Sequence, residues 1–458
     1  MPNQAPPSHA DTVIFARWII PVEPAHTVLE DHALAIAAGR IAAVLPAAQA
    51  RHIAAERVFD LGEHALLPGL VNAHGHAAMS LLRGYADDYA LHSWLNEHIW
   101  PAEGKWVSEP FVRDGTELAI AEMLRSGTTC FSDMYFFPDA VAQTAHNLGM
   151  RAQIHFPVFD FPTAWGRNAD DYIHKGLVLR DDFKHSELIS IGFGPHAPYT
   201  VSDAPLNRIA VLAAELDCAI QIHAHETQQE VDESIAKYGE RPLARLQRLG
   251  LLGPRTLCVH ATALNDDDIE LLARNNCHVV HCPESNLKLA SGFCPVQSLR
   301  DAGINVALGS DGAASNNDLD LFAELRIAAL LAKAVARDAA TLPAFDALRI
   351  ATLGGACALG LDEYIGSLET GKCADVIAVD LSAIENQPLF NPLSQLVYTN
   401  SGARVSHSWI NGKLMLDNRE PTTIDLRSLK IRVRDWQIKI GNKFNVRFQF
   451  PLPQGEGE

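Results

Sequence analysis

The sequence predicts an α/β fold, a (β/α)8 barrel with a small β-sandwich formed by the N- and C-terminal segments. Three observations predict it. Eight short apolar or β-branched runs recur through the middle of the chain, each followed by a polar turn and a stretch with helical spacing. Ionisable residues, mostly histidine, close several of those runs. Both flanks carry short alternating runs with no long helix between them.

Taken in order, residues 11–65 hold the runs DTVIFARWIIPV, HALAIAAGRIAAVL and RVFDLGEHALL, which read as antiparallel strands. The eight central runs end in ALLPGLVNAHGH, TTCFSDM, RAQIHFPVF, LISIGFGPHA, AIQIHAHE, TLCVHAT, HVVHCPES and NVALGSD. Between them lie helical patterns such as PLNRIAVLAAELD, DDDIELLARNN and PVQSLRDAG. Alternating strands and helices imply parallel pairing, and eight units imply a closed barrel, with an open doubly wound sheet as the alternative. Strand signals return in ADVIAVDL and SHSWINGKLMLDN, where Asn411-Gly412 marks a hairpin turn. The expected division is a barrel over 66–367, a β-sandwich from 1–65 and 368–450, and a disordered tail over 451–458.

The 458 residues, 48% hydrophobic and 20% charged, suit a soluble globular protein. No apolar run reaches the roughly 18–20 residues of a membrane span, and no secretory signal opens the chain. A cytoplasmic protein is therefore expected. The net charge of −18 argues against a nucleic-acid partner and suits a neutral or zwitterionic small molecule, although it also serves solubility alone. Eight cysteines, without a CxxC pair, read as reduced core residues.

His74-Gly75-His76 is the most specific signal. Side chains two apart on a strand point the same way, and imidazole suits zinc. Working residues of such barrels sit at the C-terminal ends of strands. There stand His196 after the fourth run, His223 and His225 on the fifth, His260 on the sixth and Asp311 on the eighth. Any one could be a satisfied core residue, but so many costly polar groups on apolar runs point to a metal. Spacing alone does not choose between His223 and His225. Glu226, beside them, could carry protons between a metal-activated water and a leaving group.

The motifs PGLVNAHGH, HAHE and GSDGAASNN, in this order and spacing, resemble the amidohydrolase superfamily over nearly the whole chain. The resemblance implies one metal held by His74, His76, His223 and Asp311, the ligand standing three residues before a glutamate. His260 would hydrogen-bond the water and Asp311 would take its proton. No lysine ends the fourth strand to bridge a second ion. One Zn2+ is expected, though Fe2+ or Mn2+ would suit the same donors.

LLRGYADDYALHSWLNEHIWPAE, GPHAPYT and SNLKLASG further resemble the branch that deaminates 5′-methylthioadenosine and S-adenosylhomocysteine. That resemblance implies that Glu103 binds ribose hydroxyls, His196 contacts the base and Trp94 helps enclose the ligand. A carboxylate can accept from two vicinal hydroxyls, and an indole offers a flat apolar wall. One departure stands out. Ile154-His155-Phe156 replaces a usual arginine, leaving Arg167, or His155, to meet the 5′ substituent. A short substituent or plain hydroxyl is favoured over an amino acid. The expected reaction is hydrolysis at C6 of adenine, giving an inosine-type product and ammonia, with Glu226 protonating N1. A guanine, pterin or triazine hydrolase is the rival enzyme, and an inactive scaffold the rival of another class. The family resemblance also implies a homo-oligomer.

Overall fold

The computed structural model describes residues 7–441, so the tail expected over 451–458 lies outside the described residues. Each of the eight central runs forms a strand. They are β6 (Leu70–Asn72), β7 (Thr128–Asp133), β8 (Arg151–Val158), β9 (Ile189–Pro195), β10 (Ile220–Ala224), β11 (Thr256–His260), β12 (His278–His281) and β13 (Val306–Leu308). All pair in parallel and in sequence order, from β6 to β13. The first and last strands close on each other through Ala73 N–H to Leu308 O at 2.8 Å and Asp311 N–H to His74 O at 3.2 Å. Gly75 and Asp311 form a parallel bridge there. The sheet is thus a barrel, and its closing seam lies beside His74 and Asp311.

Helices cover the barrel as the periodicity requires. PLNRIAVLAAELD falls in the helix Asp203–Leu216, DDDIELLARNN in Asp266–Arg274 and PVQSLRDAG in Val296–Asp301. The first crossover helix, Glu109–Ser126, ends at Gly127, whose φ of 94° lets the chain turn directly into β7.

The chain ends share one nine-stranded sheet. Its N-terminal members are β1 (His9–Ile19), β2 (Leu29–Ala37), β3 (Arg40–Pro46), β4 (Ala54–Asp60) and β5 (His64–Pro68). The C-terminal members are β14 (Val376–Asp380), β15 (Val405–Ile410), β16 (Lys413–Asp417) and β17 (Glu420–Pro421). The order is β17-β16-β15-β14-β5-β1-β2-β3, with β4 against β1. Asn411 and Gly412 take φ of 52° and 74° in the β15–β16 turn, as an Asn-Gly hairpin requires. Along β1 the alternation sorts Ile14 and Ala16 into one core and Val13 and Phe15 into another.

Arg151 of β8 joins barrel to sheet. Its Nε and Nη2 donate to the two oxygens of Asp375 at 2.8 and 3.1 Å, with both side chains almost fully buried. Asp375 also accepts from Asn411 N–H at 2.8 Å, and Arg151 donates to Glu187 O at 2.9 Å. Removing one partner strands the other charge. Arg151→Ala is therefore expected to lower unfolding stability by about 3–5 kcal/mol in a denaturant titration. A loss below about 1 kcal/mol would show that the pair does not hold the two parts together.

Residues 426–441 form a helix, which the sequence analysis did not anticipate. It packs on the helix Glu109–Ser126, where Asp114 accepts from Arg432 Nε at 3.1 Å and from Trp436 Nε1 at 2.9 Å. All eight cysteines are free, and all but Cys357 are buried. No helix among the described residues is long and apolar enough to cross a membrane.

Candidate active site

Strand ends deliver the ionisable groups to one end of the barrel. His74 and His76 follow β6, His223 lies on β10, His260 ends β11, and Asp311 lies three residues beyond β13. The Nε2 atoms of His74 and His223 are 3.2 Å apart. Asp311 Oδ1 lies 3.2 Å from His76 Nε2 and 3.5 Å from His74 Nε2. One donor atom from each of His74, His76 and His223 falls within 4.8 Å of the others, and so do those of His74, His260 and Asp311.

Each imidazole is held from behind. Nδ1 of His74 meets Gln221 Oε1 at 2.8 Å, and Nδ1 of His76 meets Met134 O at 2.6 Å. Nδ1 of His223 meets His196 O at 2.6 Å, and Nδ1 of His260 meets Asn286 Oδ1 at 2.8 Å. These oxygens only accept, so Nδ1 carries the proton and Nε2 presents a lone pair to the cluster. Bare nitrogens facing each other at 3.2 Å repel unless a cation sits between them. The donor set therefore fits a divalent metal.

Electrostatics agree with that fit. Burial pushes His74 down to about 4 and holds His223 and His260 below their ordinary value, so all three are neutral near pH 7. Burial lowers His76 too, but the hydrogen bond and charge of Asp311 outweigh it and raise His76 to about 9. Asp311 thus draws positive charge to this spot, as a proton or as a metal ion. Asp311 Oδ2 accepts from Ser285 Oγ at 2.6 Å and Ser315 Oγ at 2.7 Å, which leaves Oδ1 turned to the histidines.

His225 is excluded from the cluster by its own bonds. Its Nδ1 donates to Ala263 O at 3.1 Å and its Nε2 accepts from Leu243 N–H at 3.1 Å. Neither ring nitrogen is left over. His223 is the member of the HAHE pair that faces the donors.

His76, His223, His260 and Asp311 line a cavity whose empty space, its opening to solvent included, is about 670 Å³. Glu226 lies in its wall, with Oε2 3.9 Å from His260 Nε2. Burial, reinforced by the charge of Asp311, raises its carboxyl to about 8, so it holds a proton at neutral pH. Glu103, Trp94 and His196 line the same cavity. Glu103 accepts from Tyr135 OH at 2.7 Å, and burial raises it to about 7. Trp94 is pinned by its Nε1 donating to Ala86 O at 3.1 Å. His196 stacks on Phe159 with ring centroids 4.8 Å apart.

Trp94 and Glu103 share one helical run made possible by a π-helical turn, Trp94–Ile99. The wider turn moves the inward face on by one residue. Ile99 and Glu103 consequently reach the cavity, while His98 stacks on Tyr89 outside it, centroids 4.1 Å apart.

The sequence relationships carry the same architecture. A family model described as amidohydrolase family matches residues 65–415. The chain belongs to the amidohydrolase family. This amidohydrolase is 54% identical over 446 residues to a 5-methylthioadenosine/S-adenosylhomocysteine deaminase of Saccharophagus degradans, covering 96% of this chain and 98% of the relative. It is 53% identical over 434 residues to the enzyme of the same name from Teredinibacter turnerae, covering 94% and 98%. Among solved structures, an adenosine deaminase from Xanthomonas campestris with bound zinc superposes with a TM-score of 0.93 at 51% identity, covering 95% of this chain and all of that one. An atrazine chlorohydrolase from Arthrobacter aurescens shares the fold, with a TM-score of 0.87 at 24% identity and coverage of 93% and 99%.

Of the residues singled out from the amidohydrolase sequence, the structure brings His76, His223, His260, Asp311, Glu226, Glu103, His196 and Trp94 to one cavity, with the fully buried His74 clustered behind its donors. Arg167 and His155 are not among its lining residues. Arg167 is 84% exposed and bonded to Asp171 at 3.1 Å, at the start of the next helix. His155 is fully buried within the barrel, where its Nδ1 and Ser132 Oγ share a hydrogen bond of 3.1 Å. Tyr135 and Tyr199, which also line the cavity, were not singled out as site residues. Tyr135 stands two residues past β7, the kind of strand-end position that could have flagged it.

Proposed function

We propose that this amidohydrolase removes the 6-amino group of an adenine nucleoside by hydrolysis, using one zinc ion. The observation that carries the reading is a cluster of inward-facing histidine nitrogens and one carboxylate beside a buried Glu226, in a cavity that also holds Glu103. Relatives named for this reaction and the zinc in the Xanthomonas campestris deaminase support it.

His74, His76, His223 and Asp311 would hold the ion. Bound there, zinc supplies Lewis acidity that brings the pKa of a water towards ~7 and so provides a nucleophile at neutral pH. Glu226 donates its proton to N1 of the adenine as C6 is attacked and regains one from the added hydroxyl as the C6–N bond breaks. His260, fixed by Asn286, hydrogen-bonds the attacking oxygen, and Asp311 accepts one proton of the water and passes it to the departing amine. The C6–N bond breaks, and water and nucleoside become ammonia and an inosine-type product. Glu103 accepts from the ribose hydroxyls, His196 contacts the base, and Trp94 walls the ligand from water.

The 5′ end is open to an uncharged group only. The acidic residues lining the cavity are Glu103, Glu226 and Asp311, with no lysine or arginine among the lining. A substrate carboxylate or phosphate would be buried there without a partner. With metal-replete protein, kcat/KM for 5′-methylthioadenosine is expected to exceed that for S-adenosylhomocysteine by about tenfold or more, about 1.4 kcal/mol. Adenosine 5′-monophosphate should not turn over. Ammonia release across this panel and from guanine, with chloride release from a chlorotriazine, tests the reading. Turnover of guanine or triazine but of no adenine nucleoside would overturn it.

A further inference from the structure

Glu226 follows a residue with φ of 55°, His225, and something must hold that turn. The next helix, Gln228–Tyr238, opens with Thr227-Gln228-Gln229-Glu230, the pattern of a capping box. Half of the box forms: Thr227 Oγ1 accepts from Glu230 N–H at 3.2 Å. The glutamate does not complete it on Thr227. Its carboxylate reaches farther back, where Oε1 accepts from His225 N–H at 3.0 Å and Oε2 from Glu226 N–H at 2.8 Å. The positive φ of His225 turns these consecutive amides to the same side, a concave pair suited to an anion. From the opposite side, Thr262 Oγ1 donates to Glu226 O at 2.7 Å.

From this geometry we infer that Glu230 is a positioning residue for the reaction, clamping the backbone of Glu226 so that its carboxyl is aimed at the substrate ring. Glu230 is itself only 6% exposed. Capping the helix needs only Thr227, whereas burying a carboxyl group is costly, and burial raises this one to about 8. What this one supplies is a rigid seat for the residue that must reach N1. The inference rests on the reading of Glu226 as the proton carrier.

The test compares Glu230→Gln, Glu230→Ala, Glu226→Gln and the double variant Glu226→Gln/Glu230→Gln, all zinc-loaded, with 5′-methylthioadenosine. Glutamine keeps the volume but turns an N–H towards one of the two amides. Displacement of Glu226 by a fraction of an ångström is expected to lower kcat about 30- to 100-fold in both Glu230 variants. KM should change less than about threefold, because ground-state contacts remain. Zinc stoichiometry and melting temperature should match the parent. In the Glu226→Gln background the second substitution should cost nothing more, since Glu230 acts only through Glu226. Parental kcat in Glu230→Gln, losses that multiply in the double variant, or failure of both Glu230 variants to fold or hold zinc would each overturn the inference. Full activity of Glu226→Gln alone would instead defeat the reading of Glu226 as the proton carrier, whatever the Glu230 variants do.

Discussion

Glu226→Gln is expected to lower kcat by about 10³-fold or more while leaving the protein folded and loaded with metal. The substitution keeps the side chain's length and its place in the cavity wall, so nucleoside affinity should hold within a few-fold. What it removes is a titratable proton. Glu226 sits buried beside Asp311, and both effects favour its protonated form near neutrality. An amide can neither give that proton to the ring nor take one from the added hydroxyl. Loss of the adenine absorbance under saturating 5′-methylthioadenosine measures the effect. A variant that retained more than about a tenth of parental kcat would show that proton transfer runs through another group.

His74→Ala should be at least as damaging, and for a different reason. His74 is the donor shared by both clusters of ligand atoms, one with His76 and His223, the other with His260 and Asp311. Its removal takes away one of four proposed ligands and leaves Gln221 Oε1 without its donor in a buried site. Zinc content, read by elemental analysis after dialysis, is expected to fall well below one per chain. Turnover should drop below detection, on the order of 10⁴-fold or more, because the activated water is lost. Full zinc occupancy with full activity in this variant would mean that the histidines belong to the core and not to a metal centre.

The barrel was legible because its strands are continuous apolar runs closed by chemistry-bearing residues, as β10 with His223 and β11 with His260 show. The proposed metal donors were legible for the same reason, although the choice between His223 and His225 needed the family pattern. In the structure that choice rests on hydrogen bonds to Leu243 and Ala263, residues far along the chain. Arg167 misled because charge alone says nothing of direction. Asp171, four residues on, captures the guanidinium outside the cavity. Glu230 and Tyr135 had no signal in periodicity, since one grips a turn and the other follows a strand end.

The C-terminal helix shows a sharper ambiguity. Leu429-Lys430-Ile431-Arg432-Val433-Arg434 alternates like a half-buried strand. Leu429, Val433, Trp436 and Ile440 also repeat at helical intervals, and the structure uses that second period. Leu429 and Ile440 are buried, whereas Ile431 and Ile438 are more than half exposed. Both periods fit the same letters. The decision came from a neighbour, the helix bearing Asp114.

The strand order of the terminal sheet has a consequence for synthesis. β5 leaves the ribosome with one edge bare, because β14, the strand that covers it, follows roughly 300 residues later. At about 5–20 residues per second, that edge waits on the order of 15–60 s for its partner. An unpaired edge is a template for other chains. The nascent protein therefore carries an open flank throughout the making of its barrel, and the last strands to emerge are the ones that seal it.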